Sequence, residues 1–472
     1  MSYLDISINY GDQMLNSFIP EGRGTVRVID SPDVQSEISD LKADLIHALE
    51  NPVNADPLKE LITAHYPGCG KKVLLIADDN TRPNRHTRIL YPLLLPYLIE
   101  VCGVKKEDLG ILIASGTHRP PSKTEIRDRI LGGGIYEEYK DQILIHDDQN
   151  NLAELGVSSR NTPITINQDA LNACILIPVT DSEYHYFAGV AGTVKQLFPG
   201  VAGRLTINTN HIQMFDKKTG FKAVCRLGNT TDNPVISDMK EMAAMVQEHT
   251  PVFCIDAIMD HEQITRLNAG NIIALHDLAN ELLYHRRVIH VDKAADLVIV
   301  TVGGVGINLY QAGKGTHAAW NAAKKPGGTV LLLAPCQDGV GSVGYQEAMQ
   351  AVQDMDLDSA LNWVIDNTCS KETFRIGNQK PVDTLRMLKS LGENKIKILS
   401  EMDPDELLET YRIAAIPDLG SPEESLRGFV SRFLDEKPEA LIYVLKDAGL
   451  YVVPEDEKGK SITTGQCDCP II

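Results

Sequence analysis

The chain has 472 residues, 43% of them hydrophobic and 23% charged, which is enough to build two or three domains with sizeable cores. Its net charge of −19 argues against nucleic acid or an anionic membrane as partner, because binding those surfaces takes a basic face. The start, MSYLDISINYGDQ, has neither a basic nor an apolar leader segment, no apolar run reaches about 18 residues, and the nine cysteines are scattered. A cytoplasmic protein with reduced thiols and no membrane span is expected.

In chain order, residues 1 to 30 read as a strand or hairpin. Ile38, Leu41, Leu45 and Leu49 then recur at helical spacing up to Asn51-Pro52. Val73 to Ala77 is a continuous apolar run, the signature of a buried parallel strand, and it delivers Asp78, Asp79, Asn80, Thr81 and Arg82. A helix near Tyr91 to Val101 leads to a second strand, Leu109 to Ala114, which ends in Ser115, Gly116, Thr117, His118 and Arg119. Ser122 and Glu125 form a capping box for the next helix. Open α/β sheets place ligands at such strand ends. Ile143 to His146 and Ala173 to Val179 are further strands.

The second of these runs through Thr180-Asp181-Ser182-Glu183 into Tyr184 to Met214. That segment packs His185, Lys195 and His211 among Gly189, Gly192, Gly200 and Gly203. It is too glycine-rich for a long helix, and its glycines let backbone approach a ligand or take positive φ. The stretch 232 to 270 is mixed, with a helix from Pro234 to Gln247, and a domain boundary is placed near 270. Beyond it come helix Ile272 to His285, strand Leu297 to Val302 and a Gly303-Gly304-Gly306 turn. Asn308 then opens a helix bearing Tyr310, Gln311 and Lys314. That turn is not a dinucleotide fingerprint, since Leu309 stands where its third glycine belongs. Strand Thr329 to Ala334, helices Asp405 to Tyr411 and Pro422 to Phe433, and strand Leu441 to Leu445 follow. The polar tail with Cys467 and Cys469 reads as frayed rather than as a zinc site.

The motifs DDNTRP at 78–83, SGTHRP at 115–120, HYFAG…K…PG…AGR…NH at 185–211 and YQAGKG at 310–315 resemble the nickel-dependent lactate racemase family. The resemblance covers roughly residues 70 to 380. It implies two α/β domains with mostly parallel sheets flanked by helices and the active site in the cleft between them. Residues 1–270 would bind the cofactor and 271–472 would cradle the substrate. It also implies a nickel-pincer nucleotide, nickel pyridinium-3,5-bisthiocarboxylic acid mononucleotide, loaded by cofactor-synthesis enzymes. The substrate would be a small 2-hydroxy acid; a homodimer is left open.

Residue by residue, the resemblance makes Lys195 the tether, His211 the protein ligand to nickel, and His118 and His185 the acid/bases. Asp79 and Arg82 would orient a catalytic histidine and the substrate. Tyr310, Gln311 and Lys314 would hold its carboxylate, and Thr81, Ser115, Gly116 and Thr117 the nucleotide phosphate. Hydride would pass from substrate C2 to the pyridinium and return to either face of the 2-keto acid. Histidine suits such two-sided proton work because its ordinary pKa of about 6.5 lets it accept and donate near neutrality. Thr193-Val194 precede Lys195 where the family commonly has Gly-Gly, and the family's late tryptophan aligns weakly with Phe374 or Trp363.

Two other readings compete: a zinc hydrolase built on His118, His185 and His211, and a non-catalytic binder of a small carboxylate or nucleotide. The histidines at 47, 65, 86, 146, 249, 261, 276, 285, 290 and 317 are read as structural or surface groups.

Overall fold

The computed structural model describes residues 2–32, 35–82, 85–260 and 262–457. His261, Pro83 of the DDNTRP motif, and the tail with Cys467 and Cys469 lie outside them. The chain divides into two compact units. One comprises Val34–Met214 and Cys225–Tyr284; the other comprises Met1–Asp33, Phe215–Val224 and His285–Ile472. The first 33 residues therefore group with the C-terminal half.

The unit holding the N-terminal motifs is built on a six-stranded sheet. Its order is Gln263–Gly270, Cys254–Asp260, Ile175–Asp181, Val73–Asp78, Leu109–Ala114, Ile143–Ile145. All neighbours are parallel except the edge pair Cys254–Asp260 and Gln263–Gly270. Val73 to Ala77 and Leu109 to Ile113 are wholly buried, as their unbroken apolar runs require of strands covered on both faces. Each fully buried Leu or Ile there contributes about 1.5–3 kcal/mol. From Val73–Asp78 the chain winds outward through Leu109–Ala114 to Ile143–Ile145, then returns to the other side with Ile175–Asp181. The order reverses between Val73–Asp78 and Ile175–Asp181, and such a switch point opens a crevice at the carboxyl ends of the strands.

The antiparallel pair Cys254–Asp260 and Gln263–Gly270 was not anticipated; the sequence between the strands has no Gly or Asn-Gly turn signal. Several other elements match the sequence reading closely, among them strands Leu109–Ala114 and Leu441–Leu445, helix Pro234–Gln247 and the Ser122/Glu125 capping box.

The other unit carries a wholly parallel sheet in the order Ala414–Ala415, Ile396–Leu399, Thr329–Leu333, Leu297–Thr301, Leu441–Leu445, Thr25–Ile29. Its outermost strand comes from the start of the chain, paired residue for residue from Leu441↔Thr25 to Leu445↔Ile29. This sheet reverses order between Leu297–Thr301 and Leu441–Leu445. Among the described residues no helix is long and apolar enough to cross a membrane.

Candidate active site

Three strand ends of the first unit converge on a polar cluster. After Val73–Asp78 comes Asp79, 3% exposed, whose Oδ2 lies 2.7 Å from Nδ1 of the half-exposed His118. A carboxylate only accepts, so Nδ1 carries the proton and Nε2 of a neutral His118 presents a lone pair. The other Asp79 oxygen accepts from the Thr81 N–H at 3.0 Å and from its hydroxyl at 2.5 Å. Burial pushes the Asp79 carboxyl upward, but the His118 and Thr81 hydrogen bonds and the His118 charge outweigh it and hold the group below its ordinary value. His118 is set by a tight turn in which its N–H donates to Ser115 O at 2.9 Å. The Gly116 N–H donates to Gly200 O at 2.9 Å, tying this turn to the lysine-bearing loop.

That loop is made of short pieces. Tyr184–His185 pairs antiparallel with Gly189–Val190, Val194–Leu197 is one helical turn, and Arg204–His211 is a two-turn helix. Gly192 has φ +79°, and a Cβ there would meet Asp181 O at 2.7 Å, so only glycine lets the chain pass. The hairpin places Phe187 as a common neighbour. Its ring centroid lies 4.5 Å from that of His185, 5.5 Å from that of His211 and 5.7 Å from Nζ of Lys195.

Burial, with Arg82 nearby, lowers the Lys195 amine to about 7 against a smaller opposing effect of Glu183. Burial and the Lys195 charge lower His211 to about 3, opposed by the backbone bond to Ile207. In that bond Nδ1 of His211 donates to Ile207 O at 3.0 Å, which leaves the lone pair on Nε2. His185 is set the other way: its Nδ1 accepts the Ala188 N–H at 3.3 Å, so a neutral ring carries its proton on Nε2. Arg82 pairs with Glu183 at 2.5 Å. Burial works against its charge, but Glu183, Asp78, Asp181 and Asp79 together raise its pKa.

Several residues of this cluster were missed by the sequence reading. The Gln196 carboxamide, turned with its NH₂ toward Asp78, donates to Oδ1 at 3.0 Å and accepts the Asp78 N–H at 3.2 Å. Fully buried His86 stands between two carboxylates, with Nε2 3.8 Å from Asp78 and Nδ1 3.6 Å from Asp181. Burial raises Asp78 to about 6 against the His86 charge. Asp78, His86 and Asp181 bring ligand atoms within 4.8 Å of one another; His118, His185 and His211 form no such group. Ser115 Oγ is buried and has no hydrogen-bond partner among the described residues. Among the other histidines, His146 is satisfied by Ala202 O at 2.9 Å, as expected of a structural group.

In the second unit, Tyr310, Gln311 and Lys314 lie on helix Leu309–Ala322, whose N-cap Asn308 accepts the Gln311 N–H at 2.9 Å. The spacing puts Lys314 on the same helix face as Tyr310 and Gln311, and Lys314 is exposed. Burial raises the Tyr310 phenol, opposed by a hydrogen bond with Gln379. Beside this helix, Lys380, Asp383 and Arg386 on Gln379–Leu391 form a buried charged group. Burial, with Lys314 and Arg386 nearby, lowers Lys380 to about 8 despite Asp383. Asp383 also pairs with Arg386 at 2.7 Å and His317 at 3.3 Å. An Asp and an Arg three residues apart on a helix ordinarily form a solvated pair, so their spacing does not signal burial. Phe374 is buried against Phe215, with ring centroids 5.9 Å apart.

Residues 10–222 match the family description "Lactate racemase N-terminal domain" and residues 291–419 "Lactate racemase C-terminal domain". A lactate racemase from Thermoanaerobacterium thermosaccharolyticum is 30% identical over 72% of this chain and 76% of its own length. One from Lactiplantibacillus plantarum is 32% identical over 67% and 71%. The solved lactate racemase apoprotein from T. thermosaccharolyticum superposes with a TM-score of 0.78 at 24% identity, covering 95% of this chain and 100% of that one. A crystal structure of a Thermotoga maritima protein superposes at 0.58 with 16% identity, covering 85% and 98%. At those identities the two superpositions speak for the fold, and it is the sequence matches that carry the kinship: the chain belongs to the lactate racemase family and is an isomerase of the racemase kind.

Proposed function

We propose that the chain racemises or epimerises a small 2-hydroxy acid at C2, using a nickel-pincer nucleotide tethered to Lys195. The observation that carries this reading is the gathering of His185, Lys195 and His211 around the Phe187 ring, in the same unit as the Asp79-bound His118.

The residues suit such a group. An amide linkage requires a neutral amine, and Lys195 at about 7 supplies one near neutrality. His211 remains uncharged at any physiological pH and offers Nε2, while its Nδ1–H on Ile207 O fixes the ring as a metal ligand needs. The buried Ser115 Oγ, without a hydrogen-bond partner among the described residues, suits a phosphate oxygen, with Thr117 beside it; the Gly116 N–H is held by Gly200 O and both Thr81 donors by Asp79. Held by Lys195 and His211, the group would supply a hydride-accepting centre for the substrate C2.

The chain's own residues handle the proton and the carboxylate. His118 takes the substrate hydroxyl proton at Nε2, and Asp79 steadies the resulting imidazolium. His185 serves the opposite enantiomer once it releases the Ala188 N–H or takes the other tautomer, which frees a ring lone pair for the proton. Arg82 orients the substrate carboxylate, to which its planar fork can bind bidentately. Tyr310, Gln311 and Lys314 contribute the remaining carboxylate contacts.

The test is to make the wild type and Lys195→Ala with the cofactor-synthesis enzymes and to measure intact mass and metal content. The reading expects an adduct and stoichiometric nickel on the wild type and neither on the variant. Stoichiometric zinc without adduct would favour the hydrolase. Against that alternative stands the failure of His118, His185 and His211 to form one ligand group.

A further inference from the structure

The geometry points to Thr193 as the positioning residue for the Lys195 amine, acting through a buried hydrogen-bond chain that includes His276, Thr180 and Asp256; the inference rests on reading Lys195 as the tether. Thr193 has φ +42° and ψ −114°, a conformation that a β-branched residue adopts only when its surroundings impose it. It is wholly buried, and both of its polar handles are held. Its N–H donates to Thr180 Oγ1 at 3.2 Å, and its Oγ1 lies 2.7 Å from Nδ1 of His276, itself wholly buried on helix Ile272–Arg287.

The Thr180 hydroxyl has one proton, and it goes to Asp256 Oδ1 at 2.5 Å. The same oxygen accepts the Ser182 hydroxyl at 2.9 Å. Thr193 is thus anchored to the strands Ile175–Asp181 and Cys254–Asp260 through Thr180, and to a helix through His276. These anchors set the single turn that bears the lysine. Thr193 O accepts the Gln196 N–H at 2.9 Å, Gly192 O accepts the Lys195 N–H at 3.0 Å, and Lys195 O accepts the Gly200 N–H at 3.0 Å. The side chain of Gln196 is fastened to Asp78 on the opposite flank.

Lys195 ends a flexible four-carbon stem, so its amine can be placed only by fixing the backbone beneath it. The chain does so at residues 193 and 196, on either side of the lysine. Thr193 and His276 thereby act on the tether without acting on the substrate.

The experiment compares Thr193→Val, Thr193→Ser, His276→Leu and His276→Asn with the wild type, all made with the cofactor-synthesis enzymes. Two quantities are read: Lys195 adduct per folded molecule by intact mass, and hydrogen exchange of amides 194–198 in protein made without those enzymes. Thr193→Ser keeps the hydroxyl, and His276→Asn keeps a polar atom near the Nδ1 position; both should load within about twofold of the wild type. Thr193→Val and His276→Leu should load at least about tenfold less and exchange at least about tenfold faster at those amides. Thr193→Val loading and exchanging as the wild type does would overturn the assignment, as would Thr193→Ser failing as badly as Thr193→Val. A wild type bearing no adduct would overturn the tether reading itself and this inference with it, an outcome distinct from equal loading of wild type and variant.

Discussion

His118 and His185 hold their neutral imidazoles in opposite tautomers. Asp79 accepts the Nδ1–H of His118 in a 2.7 Å hydrogen bond, while the Nδ1 of His185 accepts the Ala188 N–H at 3.3 Å. Neutral His118 therefore offers a lone pair at Nε2 that can accept a proton, whereas neutral His185 presents an N–H there that can hydrogen-bond a substrate oxygen. To accept a proton in its turn, His185 must release the Ala188 N–H or take the other tautomer. His118→Ala and His185→Ala should each lower kcat for both enantiomers by about 10²- to 10⁴-fold. Asp79→Asn should lower it by a similar factor of about 10²–10⁴, because an amide can donate to Nδ1 and reverse the His118 tautomer. Chiral separation of product measures all three, and near-normal turnover in any variant removes that residue from the mechanism.

Lys195 makes a prediction that needs no cofactor. With its amine lowered to about 7 by burial and the Arg82 charge, roughly half should be neutral at pH 7, against roughly one in 2,500 for an ordinary lysine. In protein made without the cofactor-synthesis enzymes, acylation at Lys195 followed by peptide mass should rise with pH and level off above a midpoint near 7. A midpoint near 10 would contradict the buried, neutral amine.

Asp256 governs a pH dependence of stability. Burial raises its carboxyl to about 8, against hydrogen bonds from Thr180 and Ser182 that lower it; in the unfolded chain it titrates near 3.9. Between those values the folded protein keeps a proton that the unfolded chain has lost. The stabilisation is complete below about pH 4 and is lost as pH rises through 8. Asp256→Asn does not titrate. Its unfolding free energy should gain on that of the wild type by about 1.4 kcal/mol per pH unit across this window and stay level above it. Urea unfolding at a series of pH values provides the measurement, and a pH-independent difference refutes the raised carboxyl.

Arg82 and Glu183 separate stability from function. Their side chains are 34% and 56% exposed, so water screens the pair, and Glu183→Gln should change stability by under about 1 kcal/mol. Arg82→Lys keeps the charge but loses the bidentate fork, and should raise KM by about tenfold or more, the equivalent of one lost hydrogen bond to a charged group. An unchanged KM would take Arg82 out of the substrate contacts.

The strand ends that bear Asp79 and His118 were legible because Val73 to Ala77 and Leu109 to Ala114 are unbroken apolar runs, each stopped by a polar cluster. Such runs specify buried parallel strands, and parallel strands present their carboxyl ends on one edge. Residues 1 to 30 read only as a strand or hairpin; the partner of Thr25–Ile29, Leu441–Leu445, lies more than 400 residues away, and local pattern carries no such pairing. His86, Gln196 and His276 were hidden for a different reason. Their importance comes from burial and partners brought in by the fold, and neither residue type nor spacing marks them. Lys380, Asp383 and Arg386 carried a pattern that ordinarily means an exposed ion pair, and burial by neighbouring elements overrode it.

The most direct test of the central claim is the fate of the C2 hydrogen. A panel of 2-hydroxy acids deuterated at C2 would be turned over in ordinary water by cofactor-loaded enzyme, and both enantiomers would be separated and weighed. Transfer as a hydride predicts racemisation with deuterium retained at C2 in both. Deuterium lost to solvent at the rate of racemisation would contradict it, as would the absence of racemisation across the panel by protein that carries the Lys195 adduct.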